Sequence, residues 1–161
     1  MAPDEVDAIV EAWQRELPDV DLSPMQVLSR ISRLARHLDR ARKAAFAAHD
    51  VEPWEFDVLS ALRRSGAPYR LSPGRLVAET MVTSGTMTNR VDRLVDRGLV
   101  ERSADPADRR GVLVSLTEAG RRVVDAALEE LLGHERAILA ALPSDEAARL
   151  ADTLRTLARS V

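Results

Sequence analysis

Cysteine is absent from all 161 residues, which excludes disulfides, thiolate metal ligands and thiol redox sensing on chemical grounds. The three histidines, His37, His49 and His134, lie far apart and form no ligand-spaced pair, so no metal site is expected. Aromatic residues make up only 3%, so a core has to be assembled from Leu, Val, Ala and Ile. No apolar run approaches membrane-spanning length, and the opening MAPDEVDAIVEAW is acidic and interrupted by charges. A cytoplasmic protein without a membrane partner is expected. A Gly-rich phosphate loop, a nucleophile beside a base and a cluster of histidines or carboxylates are all missing; catalytic residues and cofactors are therefore not expected. Positive charge is also short in total: 23 basic against 26 acidic side chains give a net charge of −3. That total counts little against nucleic acid, because phosphate contacts are local and screened beyond about 8 Å. It does imply that acidic residues gather elsewhere, and Asp4, Glu5, Asp7, Glu11, Glu129, Glu130 and Glu135 lie towards the chain ends.

What is present is helical periodicity over most of the length, with 45% apolar residues, enough for one structural domain. Val6, Ile9, Val10, Trp13 and Leu17 form an apolar stripe that Pro18 ends. Ser23 offers a cap and Pro24 a first helical residue for a long helix to about residue 48, with Val27, Leu28, Ile31, Leu34, Ala35, Leu38, Ala41 and Phe46 inward. Its arginines, among them Arg30, Arg33 and Arg36, read as a solvated face in preference to a DNA-facing strip. A third helix has Pro53 near its start, Gly66 past its end, and Trp54, Val58, Leu59 and Leu62 as its buried stripe.

After a brief strand at YRL, a helix capped by Ser72 with Pro73 at its first position turns at residues 81–83 into another helix beginning at Thr83 or Ser84. Two short helices joined by a tight turn make a helix-turn-helix. The second exposes Ser84, Thr86, Thr88 and Asn89 and buries Met87, Val91, Leu94 and Val95; Arg93 adds a charge to the outer face. Small polar residues let a helix enter a major groove about 12 Å wide and reach phosphates or base edges. Arg97 and Gly98 close this helix, with a cation at its negative end and glycine just beyond.

Residues 99–102 and 112–116 read as strands, and SADPADRRG between them as a hairpin turn with Arg109 and Arg110 near its tip. Those arginines either enter a minor groove or solubilise a loop. From Thr117 onward, Val124, Leu128, Leu131, Leu132, Ile138, Leu139 and Leu142, then Leu150, Leu154 and Leu157, offer more apolar surface than a small winged unit covers. A second copy is the simplest cover, making a twofold homodimer.

The run DPADRRGVLVSLTEAG resembles the wing of the MarR family, a D-x-R motif (Asp108, Arg110) leading into L-T-x-x-G (Leu116, Thr117, Gly120), and MTNRVDRLVDRGLVER resembles its recognition helix and first wing strand. The likeness covers essentially the whole chain. It implies a mainly α fold: a winged helix-turn-helix with a two- to three-stranded β wing and N- and C-terminal dimerisation helices. Residues 1–50 would hold the N-terminal helices, residues 51–117 the DNA-binding region and residues 118–161 the C-terminal helices. The implied function is a ligand-responsive regulator, in most members a repressor, that binds a near-palindromic operator as a homodimer. Its DNA contacts would be Ser72, Ser84, Thr86, Thr88, Asn89, Arg93, Asp108, Arg109 and Arg110. A winged protein-interaction module without specific DNA binding is the other reading, which the acidic total charge suits.

A narrower resemblance concerns the urate-responsive branch, whose ligand residues are a Trp, an Asp and two Arg. Trp13, Asp57, Arg90 and Arg102 are similar in type and, from Asp57 onward, in spacing. The resemblance implies a small anionic ligand, with urate one choice and aromatic or citrate-like acids the rivals; two guanidinium groups suit a planar organic anion. The plain alternatives are an Asp57–Arg90 ion pair between helices and a Trp13 that belongs to the core.

Overall fold

The computed structural model describes residues 2–160, and of Arg109 and Arg110 it describes the main chain alone. The chain divides into two units, Met1–Ala41 and Arg42–Val161.

The first unit holds helix α1 (Glu5–Glu16) and most of α2 (Ser23–Ala47). Asp4 starts α1: its carboxylate accepts the N–H groups of Val6 and Asp7 at 2.8 and 3.1 Å, and Asp7 accepts that of Asp4 at 2.8 Å. This reciprocal capping satisfies donors that the first helical turn leaves open. The entry to α2 differs from expectation. Asp21, two residues upstream of Ser23, accepts the Ser23 N–H at 2.9 Å. Arg30 ties α2 to the start of α1 through Asp4 at 2.8 Å and Asp7 at 2.7 Å, and Arg33 pairs with Glu5. The Arg30 guanidinium holds the Asp4 carboxyl below its ordinary value.

Burial departs most from the expected stripes here. On α1 Val6 is buried, whereas Trp13 is 49% exposed, and Val27 and Leu28 on α2 are more than half exposed. Spacing identifies the apolar face of a helix but not what covers it.

The second unit contains the core. Phe46 and Phe56 stack with ring centroids 4.1 Å apart, and Leu59, Leu62, Leu76, Leu94 and Val114 are fully enclosed with them. Helix α3 (Pro53–Arg64) carries Phe56, Val58, Leu59 and Leu62 inward, while Trp54 is only partly buried. Strand β1 (Arg70–Leu71) leads to α4 (Pro73–Thr80) and α5 (Ser84–Asp96); β2 (Val100–Asp105) and β3 (Asp108–Leu116) follow. The sheet is antiparallel in the order β1-β3-β2, with Val114 opposite both Leu71 and Arg102.

The wing strands are longer than expected, and most of SADPADRRG is strand, with Pro106 and Ala107 left as the turn. Asp105 closes it by accepting the Ala107 N–H at 2.8 Å. Gly111 lets the strands meet there, since a Cβ on it would lie 2.8 Å from the Asp105 Cβ.

Helices α6 (Glu118–Leu139) and α7 (Ser144–Ala158) end the chain. Val124, Ala127 and Leu131 of α6 are buried, but Leu128, Leu132 and Leu139 are exposed, as are Leu150, Leu154 and Leu157 of α7. Among the described residues no helix is long and apolar enough to cross a membrane.

Candidate nucleic-acid interface

The helix-turn-helix is α4 and α5. Ser72 caps α4 by accepting the Arg75 N–H at 3.3 Å, and Met81 ends it in the left-handed region at φ 52°. Thr83 then caps α5: its hydroxyl accepts the Thr86 N–H at 3.3 Å and lies 2.9 Å from the Thr86 hydroxyl. Met87, Val91 and Leu94 form the buried face of α5, and Ser84, Thr86, Thr88 and Asn89 lie exposed on the other. Val95, expected to be buried, is exposed. The Thr88 hydroxyl donates to the Ser84 carbonyl at 3.1 Å, which leaves its lone pairs open to an outside donor.

The later turns of α5 are charged and engaged. Arg93 stands 4.6 Å over the Trp54 ring and 3.6 Å from Glu52, and Arg90 stands 5.6 Å over the same ring. The Trp54 indole donates to Glu52. Arg97, at the C-terminal cap, donates to Glu55 at 2.6 Å and to both the carbonyl and the carboxylate of Asp50, at 2.6 and 2.7 Å. Glu55 is 1% exposed, the one buried charged side chain among the described residues. Sequence reasoning missed this pairing. The sequence holds an acidic run at 49–57, HDVEPWEFD, and an arginine-spaced one at 90–97, RVDRLVDR, but nothing in it says which acid meets which base.

The end of α5 is joined directly to the start of α6. Gly98, at φ +67°, lets the chain leave α5. Thr117 Oγ1 lies 2.8 Å from the Gly98 carbonyl that it donates to, and accepts the Gly120 N–H at 3.0 Å. A Cβ on Gly120 would fall 2.0 Å from the Leu99 carbonyl oxygen, so this position has no room for any side chain. The L-T-x-x-G motif is therefore a junction between the two helices.

The residues read as a ligand set are held separately. Asp57 lies 3.6 Å from Arg42, and the Asp57–Arg90 ion pair held as the alternative is not formed. Arg102 pairs with Asp92 of α5. Arg90 lines, with Trp54, Gly85, Thr86, Asn89 and Arg93, a concavity of about 470 Å³ beside the N-terminal half of α5. Among the described residues no hydrogen bond or ion pair joins Asp57, Arg90 and Arg102. Trp13 belongs to α1 in the first unit and is half exposed. In the wing, Asp108 opens β3 opposite Asp105; the side chains of Arg109 and Arg110 lie outside the described residues.

Comparison with known proteins gives concordant matches. A family model described as "MarR family" matches residues 49–111, the stretch from the loop before α3 to the wing. The HTH-type transcriptional regulator PecS of Dickeya dadantii is 38% identical over 91% of this chain and 88% of its own length. Among solved structures, a mutant of E. coli MarR complexed with operator DNA superposes with a TM-score of 0.67 at 30% identity, covering 86% of this chain and 99% of that one. A structure concerning regulation of DNA binding of Bordetella bronchiseptica BpsR by 6-hydroxynicotinic acid matches with a TM-score of 0.60 at 28% identity, covering 80% and 98%. With a helix-turn-helix, a three-stranded wing and a relative this similar along nearly its whole length, the chain belongs to the MarR family of winged-helix transcriptional regulators.

Proposed function

We propose that this regulator binds a near-palindromic duplex operator as a homodimer, represses transcription, and is released by a small organic anion. The observation that carries the DNA reading is the first half of α5, where Ser84, Thr86, Thr88 and Asn89 stand exposed on a helix whose other face is locked into the core. Thr88 and Asn89 make base-edge or phosphate contacts, and Arg93, Ser72 and the wing residues Asp108, Arg109 and Arg110 contribute to backbone and minor-groove binding. The operator complex of the related E. coli MarR supports this assignment. Dimerisation uses the exposed leucines of α6 and α7 and the apolar residues left open on α1 and α2. Twofold symmetry then sets half-sites about 10 bp apart.

The anion reading rests on Arg90 and Arg102, with Asp57 as an acceptor for ring N–H groups. Arg102 already contacts α5 through Asp92, so an anion that draws it away removes a support of the DNA-competent helix. Urate and aromatic or citrate-like acids share the required chemistry, and the 6-hydroxynicotinic acid named for BpsR is an aromatic acid of this kind.

One experiment tests both parts. Affinity for promoter duplexes is measured against salt, then again with each acid present. Steep salt dependence with at least a tenfold loss in Asn89→Ala is expected, whereas salt-insensitive or absent binding favours a protein-interaction module. An acid that releases DNA equally from wild type, Arg90→Ala and Arg102→Ala would refute the proposed anion residues.

A further inference from the structure

Arg90, Arg93 and Arg97 stand three and four residues apart, so they share one face of α5. The segment from Asp50 to Glu55 takes up all three: Trp54 receives Arg90 and Arg93, Glu52 receives Arg93, and Glu55 with Asp50 receives Arg97. The Arg97 contacts are the tightest. One arm of the guanidinium reaches Glu55, and the other reaches both the carbonyl and the carboxylate of Asp50. Asp50 is itself held in the left-handed region at φ 54°, and in that conformation its carbonyl accepts from Arg97. On the other side, the Glu55 oxygen that accepts from Arg97 also accepts the Glu52 N–H at 2.9 Å. The carboxylate is thus fixed to the start of its own helix before it holds anything else.

We propose that Glu55 is a positioning residue for DNA recognition: by holding Arg97 it sets the tilt and rotation of α5 and so places Thr86, Thr88 and Asn89 in the groove. This rests on the DNA-binding reading above. Stability is not the whole of its role: Glu55 is buried, but the Arg97 side chain is a third exposed and also faces the exposed Asp50, so solvent screens much of the attraction. What an ion pair adds is direction, since the planar guanidinium accepts few geometries. The clamp also acts at a lever's end. Arg97 is about 16 Å along the axis from Thr86, so a tilt of about 5° moves the reading residues by about 1.4 Å, more than a hydrogen-bonded base contact tolerates.

The test uses a duplex that the wild-type protein selects from a random-sequence library, alongside an unrelated duplex. Glu55→Gln and the double substitution Glu55→Met with Arg97→Met are compared with wild type at a temperature where circular dichroism shows each fully folded. Both variants are expected to lose at least tenfold in affinity for the selected duplex, while affinity for the unrelated duplex changes less than twofold and the salt slope is unchanged. The double variant leaves no unpaired buried charge and loses one capping bond at the start of α3, so it is expected to melt about 2–4 °C below wild type and stay fully folded in the binding assay, which separates positioning from folding. Full selective affinity in a stable double variant overturns the proposal, as does an equal loss on both duplexes. If wild type itself selects no sequence, the DNA-binding reading fails and this proposal falls with it; selection by wild type with unchanged variants defeats this proposal alone.

Discussion

The two halves of α5 are built to opposite specifications. From Ser84 to Asn89 the outer side chains are short, polar and exposed, and their contacts are local: a cap, a hydroxyl pair, one bond back to a carbonyl a turn away. From Arg90 to Arg97 they are long and charged, and three of them reach out of the helix to the segment around α3. On the proposed DNA reading, a surface that reads bases must not be satisfied by its own protein, since a group already paired has nothing to offer a base. An orienting surface must be. Dividing the tasks along one helix lets a single element be both open and fixed.

The sharpest way to break this contrast is from the fixed end. Gly120→Val forces a side chain into the Leu99 carbonyl and should destabilise the protein by about 3 kcal/mol or more in urea unfolding, although it lies far from the reading residues. An unaltered unfolding midpoint would mean that α6 does not brace α5 at this junction. The open end should respond less. Thr83→Ala removes one cap and should cost about 1 kcal/mol, seen as a lower urea midpoint at constant slope. A loss as large as that of Gly120→Val would show that the reading half is a folding element as well.

The smallest effect is expected at an exposed pair, which sets a baseline for the contact of Arg97 with the buried Glu55. Arg30 depresses the Asp4 carboxyl below 3.8, so the contribution of that pair is present above about pH 4 and fades as pH falls through the depressed value. Asp4→Asn should be slightly less stable than wild type at pH 6 in low salt and should converge with it once pH falls below the depressed value; a difference that persists there would assign the effect to capping by Asp4 rather than to its charge.

The outline of α5 was legible because its signals are local. Thr83 and Gly98 mark its ends, and the spacing of Met87, Val91 and Leu94 marks its buried face. Ser72 was readable as a cap for the same reason. The partners of its arginines were not legible. Glu55 and Asp50 lie 42 and 47 residues from Arg97, and nothing in a helical pattern says which acid will meet which base across such an interval. The ligand set suffers likewise: the residue types, and from Asp57 onward the intervals, resemble a pattern, while in this structure Asp57 pairs with Arg42 and Arg102 with Asp92. The wing strands were underestimated because Asp, Pro and Gly read as turn formers, whereas Gly111 serves the close approach of two strands. On α1, α2 and α7 the expected burial fails for Trp13, Val27, Leu28, Leu34, Leu150, Leu154 and Leu157, because a stripe carries no record of what covers it.

The base of the wing is closed on itself: Thr117 donates its N–H to the Leu99 carbonyl at 3.1 Å, and its side chain reaches Gly98. Everything between these residues is an excursion that leaves and returns at one point. Lengthening its tip at Pro106 and Ala107 therefore leaves the helices on either side in place, and the entropy cost grows only slowly with added length. Only the tip is in effect an exchangeable cassette, free to vary in reach and charge, while Val100, Val114 and Leu116 at the base of the strands stay fixed in the core.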